Sequence, residues 1–305
     1  MDRYSDSKDV VDGDMKSLRR KMSNKYDEII RNFIKFSKTC VEFRSAAIIG
    51  SRARKETPAD EFSDLDITIL SNDPEKHIYS TNWLDEIGEV NITFVENLPF
   101  GNDKERRVMF SDALDVDFAI VQASQAKVMF SSPEIINVFR KGFKILFDKD
   151  DLFSHLNLSC RGDEQTKKQQ PSESDVQNTI QDFWYHCIWS LKKIQRGEIW
   201  TAKMCVDCYM KSLMLRMIEW DHQLDQKEPK DIWHNGRFFE DYVDQDIQEE
   251  LKGCFSHYEK ADIILALQNS MNLFSHLSKE VTKTLSIQYP QKAEDFVRVY
   301  QRLLG

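Results

Sequence analysis

Polar residues dominate positions 1–24, and the first sustained apolar periodicity begins at Lys25. From there to Cys40, the residues Tyr26, Ile29, Ile30, Phe33 and Phe36 recur at helical spacing, which predicts an amphipathic helix. Short apolar runs then predict strands near 45–49, 65–70, 90–95, 107–111, 116–121 and 143–147, with a helix near 75–87. Arg107 to Phe110 and Val116 to Val121 read as the two arms of a hairpin around Ser111 to Asp115. Residues 159–175 are polar and carry Pro171, so they are expected to link two domains. The Arg161-Gly162-Asp163 triplet there is read as a chance feature of a charged linker. Beyond it the period becomes helical to the end. Ile180, Phe183, Trp184, Cys187, Ile188, Leu191 and Ile194 form one broad stripe, and further helices are expected near 200–222, 245–257, 260–283 and 290–303. The predicted class is α+β. A loose polar segment (1–24) precedes a mixed β-sheet domain with flanking helices (25–158), then the linker and an all-helical bundle (176–305).

Composition changes this picture little. A chain of 305 residues can form two domains with real cores, and 41% hydrophobic and 30% charged residues are ordinary for a soluble protein. No apolar run approaches membrane-spanning length, so no membrane partner is expected. The first twenty residues contain no apolar core of a secretory signal, and a cytoplasmic location is expected. The formal charge of −9 speaks against a general nucleic-acid binder and suits a cationic substrate. Six cysteines are scattered, so free thiols in a reducing compartment are expected. Cys205, Cys208, Cys254 and His257 have zinc-like spacing, but Cys205, Cys208, Tyr209, Leu213 and Met217 also follow helical spacing and are read as a buried stripe.

The candidate chemistry lies between Gly50 and Ile67. A Gly-Ser pair, Gly50-Ser51, follows the apolar run Ala46 to Ile49, and Asp64 and Asp66 open the next one. Two carboxylates separated by one strand residue share a face and repel each other. A cation explains the pair, and magnesium, a hard ion that takes carboxylates plus substrate phosphates, fits best. The Gly-Ser turn would supply backbone donors to those phosphates, and Arg52 would add positive charge. Asp117 alternates with the apolar Val116, Phe118 and Ile120, so it faces away from the core side of its strand. It is the third candidate acid, as metal ligand or as proton acceptor, with Asp115 on the same face as its rival.

The order Gly-Ser, Asp-x-Asp and a lone Asp on a later strand resembles the nucleotidyltransferase superfamily. Further segments resemble the aminoglycoside 6-adenylyltransferases, also called streptomycin adenylyltransferases. They are Phe62 to Ile67, Trp83-Leu84 with Gly88, Phe147-Asp148-Lys149-Asp150, Pro171-Ser172, Phe183-Trp184, Leu215 to Ile218 with Trp220, and Trp233 to Phe238. The resemblance runs from about Glu42 to the C-terminus. It implies a nucleotidyltransferase fold for the first domain, ATP as co-substrate with Mg2+, and transfer of AMP to an antibiotic hydroxyl with release of pyrophosphate. Streptomycin is the first choice of acceptor. Another aminoglycoside, a lincosamide or a protein side chain is the alternative, as is a nucleotide-binding protein without transferase activity. It also implies an acceptor held between the two domains.

On α-helical spacing Asp182 lies opposite the Ile180–Ile194 stripe, near His186, Trp189 and Lys193. The family has a glutamate at the position of Asp182. Asp182 is therefore a candidate anchor for a cationic group of the acceptor, and Trp189, on the polar face, a candidate wall for it. His234, Arg237, Lys203 and Lys211 are weaker candidates for contact with nucleotide or acceptor. Arg54 and Lys55 are expected to be solvated. The oligomeric state, monomer or homodimer, is left open. There is no dinucleotide fingerprint, P-loop, kinase signature or hydrolase elbow.

Overall fold

A computed structural model describes residues 25–54, 59–98, 103–158, 170–225 and 236–304. The chain divides into two compact units, Met1–Asp163 and Glu164–Gly305, each with its own core. No described helix is long and apolar enough to cross a membrane.

The first unit is built on a mixed sheet of six strands: β1 (Phe43–Ile49), β2 (Leu65–Ser71), β3 (Val90–Asn97), β4 (Lys104–Phe110), β5 (Leu114–Gln122) and β6 (Lys144–Asp148). Their order is β3-β4-β5-β2-β1-β6. β2 and β5 run parallel at the centre, and the other pairings are antiparallel. β1, β2 and β5 are apolar on both faces, as central strands must be when both faces are covered. One face carries Ile48, Leu65, Ile67, Val116 and Phe118 against Tyr26, Ile29 and Phe33 of helix α1 (residues 25–39). The other carries Ala47, Leu70 and Val121 against Phe130, Phe139 and Phe153. Those rings belong to a layer that the periodicity did not show: α3 (Ala126–Met129), α4 (Pro133–Arg140) and the turn that follows β6.

The Phe147–Asp150 segment is a structural staple. The Asp148 carboxylate accepts from the Ser45 hydroxyl and from the backbone N–H groups of Leu152 (3.0 Å) and Phe153 (2.9 Å). Lys149 Nζ donates to the carbonyls of Ser37 (2.6 Å) and Cys40 (2.8 Å) and so closes the C-terminus of α1.

The helix expected near 75–87 is interrupted. Helix α2 covers only Pro74–Tyr79, capped by Asp73, because Ser80 adopts an extended backbone. The chain then swings Trp83 into the core, where its indole donates to the carbonyls of His77 and Ser80.

The second unit is helical throughout its described residues. α5 (Glu173–Gln195) opens with a reciprocal capping box between Ser172 and Asp175, so the last residues of the expected linker are helical. α6 (Ile199–Met204) continues through a π-helical segment, Cys205–Tyr209, into α7 (Met210–Asp225). α8 (Phe239–Tyr242), α9 (Gln245–Lys252), α10 (Lys260–Thr284) and α11 (Gln291–Leu304) follow. α9 ends at Lys252 rather than near 257. Phe183 of α5 and Phe274 of α10 stack at 3.7 Å between centroids in the middle of the core.

The π-helical segment corrects the expected cysteine stripe. One extra residue in the turn rotates the face, so Cys205, Leu213 and Met217 are buried while Cys208 and Tyr209 are exposed. Lys211 Nζ satisfies the Val206 carbonyl that the bulge displaces (2.9 Å) and also donates to Ser270 Oγ (2.8 Å). His257 pairs with Asp262 instead of joining the cysteines.

Candidate functional site

Three acids on or beside the central strands converge. Asp66 and Asp117 are register partners on the parallel strands β2 and β5. Asp64 precedes β2 and shares the parity of Asp66. Each of the three carboxylates offers an oxygen within 4.8 Å of the others. Among the described residues, Asp115 is not part of this group.

The turn after β1 is shaped around this trio. Gly50 adopts φ +67°, and a Cβ there would fall 1.9 Å from Oδ2 of Asp66. Glycine is therefore needed twice, for the left-handed backbone and for the room that the carboxylate occupies. Ser51 lies beside the same loop, with Oγ 3.5 Å from the Asp64 carbonyl. Arg52 does not reach outward. Its guanidinium donates to the carbonyls of Asp64 (3.0 Å) and Ser63 (2.6 Å) and stacks on the ring of Tyr26 at 3.5 Å. It fixes the Asp60–Asp64 loop. Arg54, expected in solvent, is partly buried, and its charge acts on Asp66. Lys55 lies outside the described residues.

Electrostatically the trio is unbalanced. Burial pushes the Asp66 carboxyl up to about 7, helped by the charges of Asp64 and Glu105 and opposed by Arg54 and Arg107. Burial also pushes Asp117 up to about 7, and Arg107 opposes it. Arg107 Nη2 stands 3.1 Å from Oδ2 of Asp117, while its Nε is shared between Glu105 and Glu96. Oδ1 of Asp117 is buried and has no hydrogen-bond partner. An orphaned carboxylate oxygen beside two further carboxylates is the donor set of a hard divalent cation, so the residues present fit Mg2+.

Arg107 and Glu105 were missed from the sequence. The hairpin register carries the signal: counting back from the Ser111–Ala113 turn, Phe110 faces Leu114 and Arg107 faces Asp117.

In the second unit Asp182 is already engaged. Tyr209 donates to its Oδ2 at 2.7 Å, and His186 Nδ1 lies 2.7 Å from its Oδ1. Trp189 is partly buried against the bundle core, with Lys193 Nζ 5.1 Å from its ring centre. The four side chains Asp182, His186, Trp189 and Tyr209 thus form one polar, aromatic cluster. Lys203 and Lys211 both have partners within the bundle. Lys203 pairs with Asp207 and the Ser256 carbonyl, both at 2.5 Å, and Lys211 is held inside the bundle. Arg237 stands beside the ring of Phe238. His234 lies outside the described residues.

The family model for streptomycin adenylyltransferase matches residues 23–303. An aminoglycoside 6-adenylyltransferase of Campylobacter jejuni is 24% identical over 268 residues, 86% of this chain and 90% of the relative. Another, from Bacillus subtilis strain 168, is 22% identical over 277 residues, 89% and 95% of the two chains. A crystal structure of an aminoglycoside 6-adenyltransferase from Bacillus subtilis aligns at 20% identity and a TM-score of 0.44, covering 91% of this chain and 97% of that one.

Proposed function

The chain belongs to the streptomycin adenylyltransferase family, and from that premise we propose that it transfers AMP from ATP to a hydroxyl of an aminoglycoside, streptomycin first among them. The acceptor oxygen attacks the α-phosphorus, the new O–P bond replaces the bridge to the β-phosphate, and pyrophosphate leaves. The observation that carries this reading is the convergence of Asp64, Asp66 and Asp117, together with the buried, unpartnered Oδ1 of Asp117.

Asp64, Asp66 and Asp117 would hold Mg2+. When bound, the ion supplies positive charge to the phosphates of ATP and to the developing charge on the leaving pyrophosphate. The protein's own contribution is placement. Gly50 leaves the space in which the Asp66 carboxylate stands. Arg52 braces the loop that presents Asp64. Arg107 occupies Oδ2 of Asp117 and so leaves Oδ1 to complete the ion's coordination or to take the proton of the attacking hydroxyl. Gly50 and Ser51 are assigned to the phosphate side of this pocket.

Asp182 is assigned as the anchor for a cationic group of the acceptor, with Trp189 beside it. Tyr209 and His186 hold the carboxylate in one orientation, which favours charge-assisted recognition of an ammonium or guanidinium group. Aminoglycosides are polycations, and the net charge of −9 is in keeping with such a substrate.

The test is incubation with ATP, Mg2+ and a panel of antibiotics, read by pyrophosphate release and by mass spectrometry of the acceptor. An adduct of AMP mass on streptomycin supports the full reading. An adduct on a different aminoglycoside corrects the acceptor alone. No adduct on any aminoglycoside refutes the proposal.

A further inference from the structure

A second group of metal-capable side chains stands apart from the carboxylate trio. Cys40 follows α1, Glu42 precedes β1, and His77 lies in α2. Their ligand atoms lie within 4.8 Å of one another. Phe43 pairs with Ser71, whereas Ile49 pairs with Asp66. The stretch of β1 between these two pairs spans roughly 20 Å at about 3.3 Å per residue, so the group sits at the other end of the sheet.

The geometry is close to that of a coordination shell. Cys40 Sγ is 3.4 Å from His77 Nε2 and 3.3 Å from Glu42 Oε2. A tetrahedral zinc ion, with bonds of about 2.3 Å to sulfur and about 2.0 Å to nitrogen or oxygen, would separate sulfur from either partner by about 3.5 Å. The supporting contacts orient each ligand. His77 Nδ1 lies 3.3 Å from the Asp73 carbonyl, which selects the Nδ1–H tautomer and leaves the Nε2 lone pair toward Cys40. Lys76 binds Oε1 of Glu42 and leaves Oε2 toward the thiol. Lys149 holds the Cys40 carbonyl in place. A cavity of about 480 Å³, lined by Cys40, Glu42, His77, Ser80 and Trp83 among others, gives access and room for a further ligand.

We propose that Cys40, Glu42 and His77 bind one borderline-soft divalent cation of the zinc class, with a fourth position open to this cavity. Sulfur, imidazole and a single carboxylate suit zinc, whereas the three carboxylates at the other end suit magnesium. Binding displaces the thiol proton of Cys40, which leaves to solvent. The ion would tie the end of α1, the start of β1 and α2 together, and it has no part in adenylyl transfer.

The full chain, stripped with EDTA, is titrated with Co2+ in the presence of excess Mg2+. A near-ultraviolet sulfur-to-cobalt charge-transfer band is expected to saturate at one ion per chain and to bleach on addition of Zn2+. Cys40→Ser is expected to lose the band, and Cys208→Ser, at an exposed thiol, to keep it. Glu42→Gln should keep the band and weaken Co2+ binding about ten-fold or more. The proposal is overturned if no band develops, or if the band survives Cys40→Ser or disappears in Cys208→Ser. Should Cys40→Ser fail to fold, unchanged affinity in Glu42→Gln would overturn it equally. None of these readouts uses nucleotide, so failure here is distinct from failure of the transferase reading.

Discussion

Replacing Asp66 by asparagine should make the metal-free protein more stable and the enzyme inactive. Asp66 is raised from an ordinary 3.8 to about 7 by burial and by the acids around it. Between those two values the folded chain keeps a proton that the unfolded chain has already lost. Stability therefore falls as pH rises through this window, and the full penalty is present above pH of about 7. At roughly 1.4 kcal/mol per pH unit the shift corresponds to about 4 kcal/mol at most. Solvent screening and the mutual relief between Asp66 and Asp117 reduce this, and about 2–3 kcal/mol is the expected gain for Asp66→Asn at pH 8. For a unit of this size that is a rise of about 5–10 °C in melting temperature. The assay is thermal unfolding of wild type and variant at pH 5 and pH 8 in EDTA, with a parallel series in Mg2+. In EDTA the wild type should lose stability from pH 5 to pH 8 relative to the variant. In Mg2+ the order should reverse, because only the wild type gains from the ion. Equal melting temperatures at pH 8 in EDTA would refute the electrostatic reasoning, and a variant that retains AMP transfer would refute the catalytic role of Asp66.

Gly50→Ala should lower kcat/KM for AMP transfer about a hundred-fold, because the added methyl displaces the Asp66 carboxylate, and steady-state kinetics will measure it. Arg107→Gln removes the cation held at 3.1 Å from Asp117, so the Asp117 carboxyl should rise further and the lower limb of the pH–rate profile should move to higher pH. Asp182→Asn should raise KM for the acceptor about ten-fold while leaving KM for ATP unchanged, as read by pyrophosphate release at varied concentrations of each substrate.

Much of this arrangement can be read from local pattern. The two-residue period sets the face of each acid within its own strand, and the parallel register of β2 and β5 then brings Asp66 and Asp117 side by side. The amphipathic spacing of Tyr26, Ile29 and Phe33 likewise identifies α1 and its buried side. What escaped depends on partners distant in sequence or on irregular backbone. Arg107 reaches Asp117 only through the hairpin register, and a shift of one residue would turn it to the other face. Arg52 braces the carbonyls of Ser63 and Asp64, contacts that only the folded loop brings within its reach. Cys208 and Tyr209 fit a regular helical stripe, but one π-helical turn sends them outward. The break after Tyr79 follows from a side chain, Trp83, whose burial outweighs the continuation of a helix.

The most direct test of the central claim is a crystal structure with Mn2+ in place of magnesium and a non-hydrolysable ATP analogue, with the ion located by anomalous scattering. One manganese should lie within bonding distance of a carboxylate oxygen from each of Asp64, Asp66 and Asp117 and should also contact phosphate. An ion bound elsewhere, or these three side chains turned into separate environments around a bound nucleotide, would contradict it.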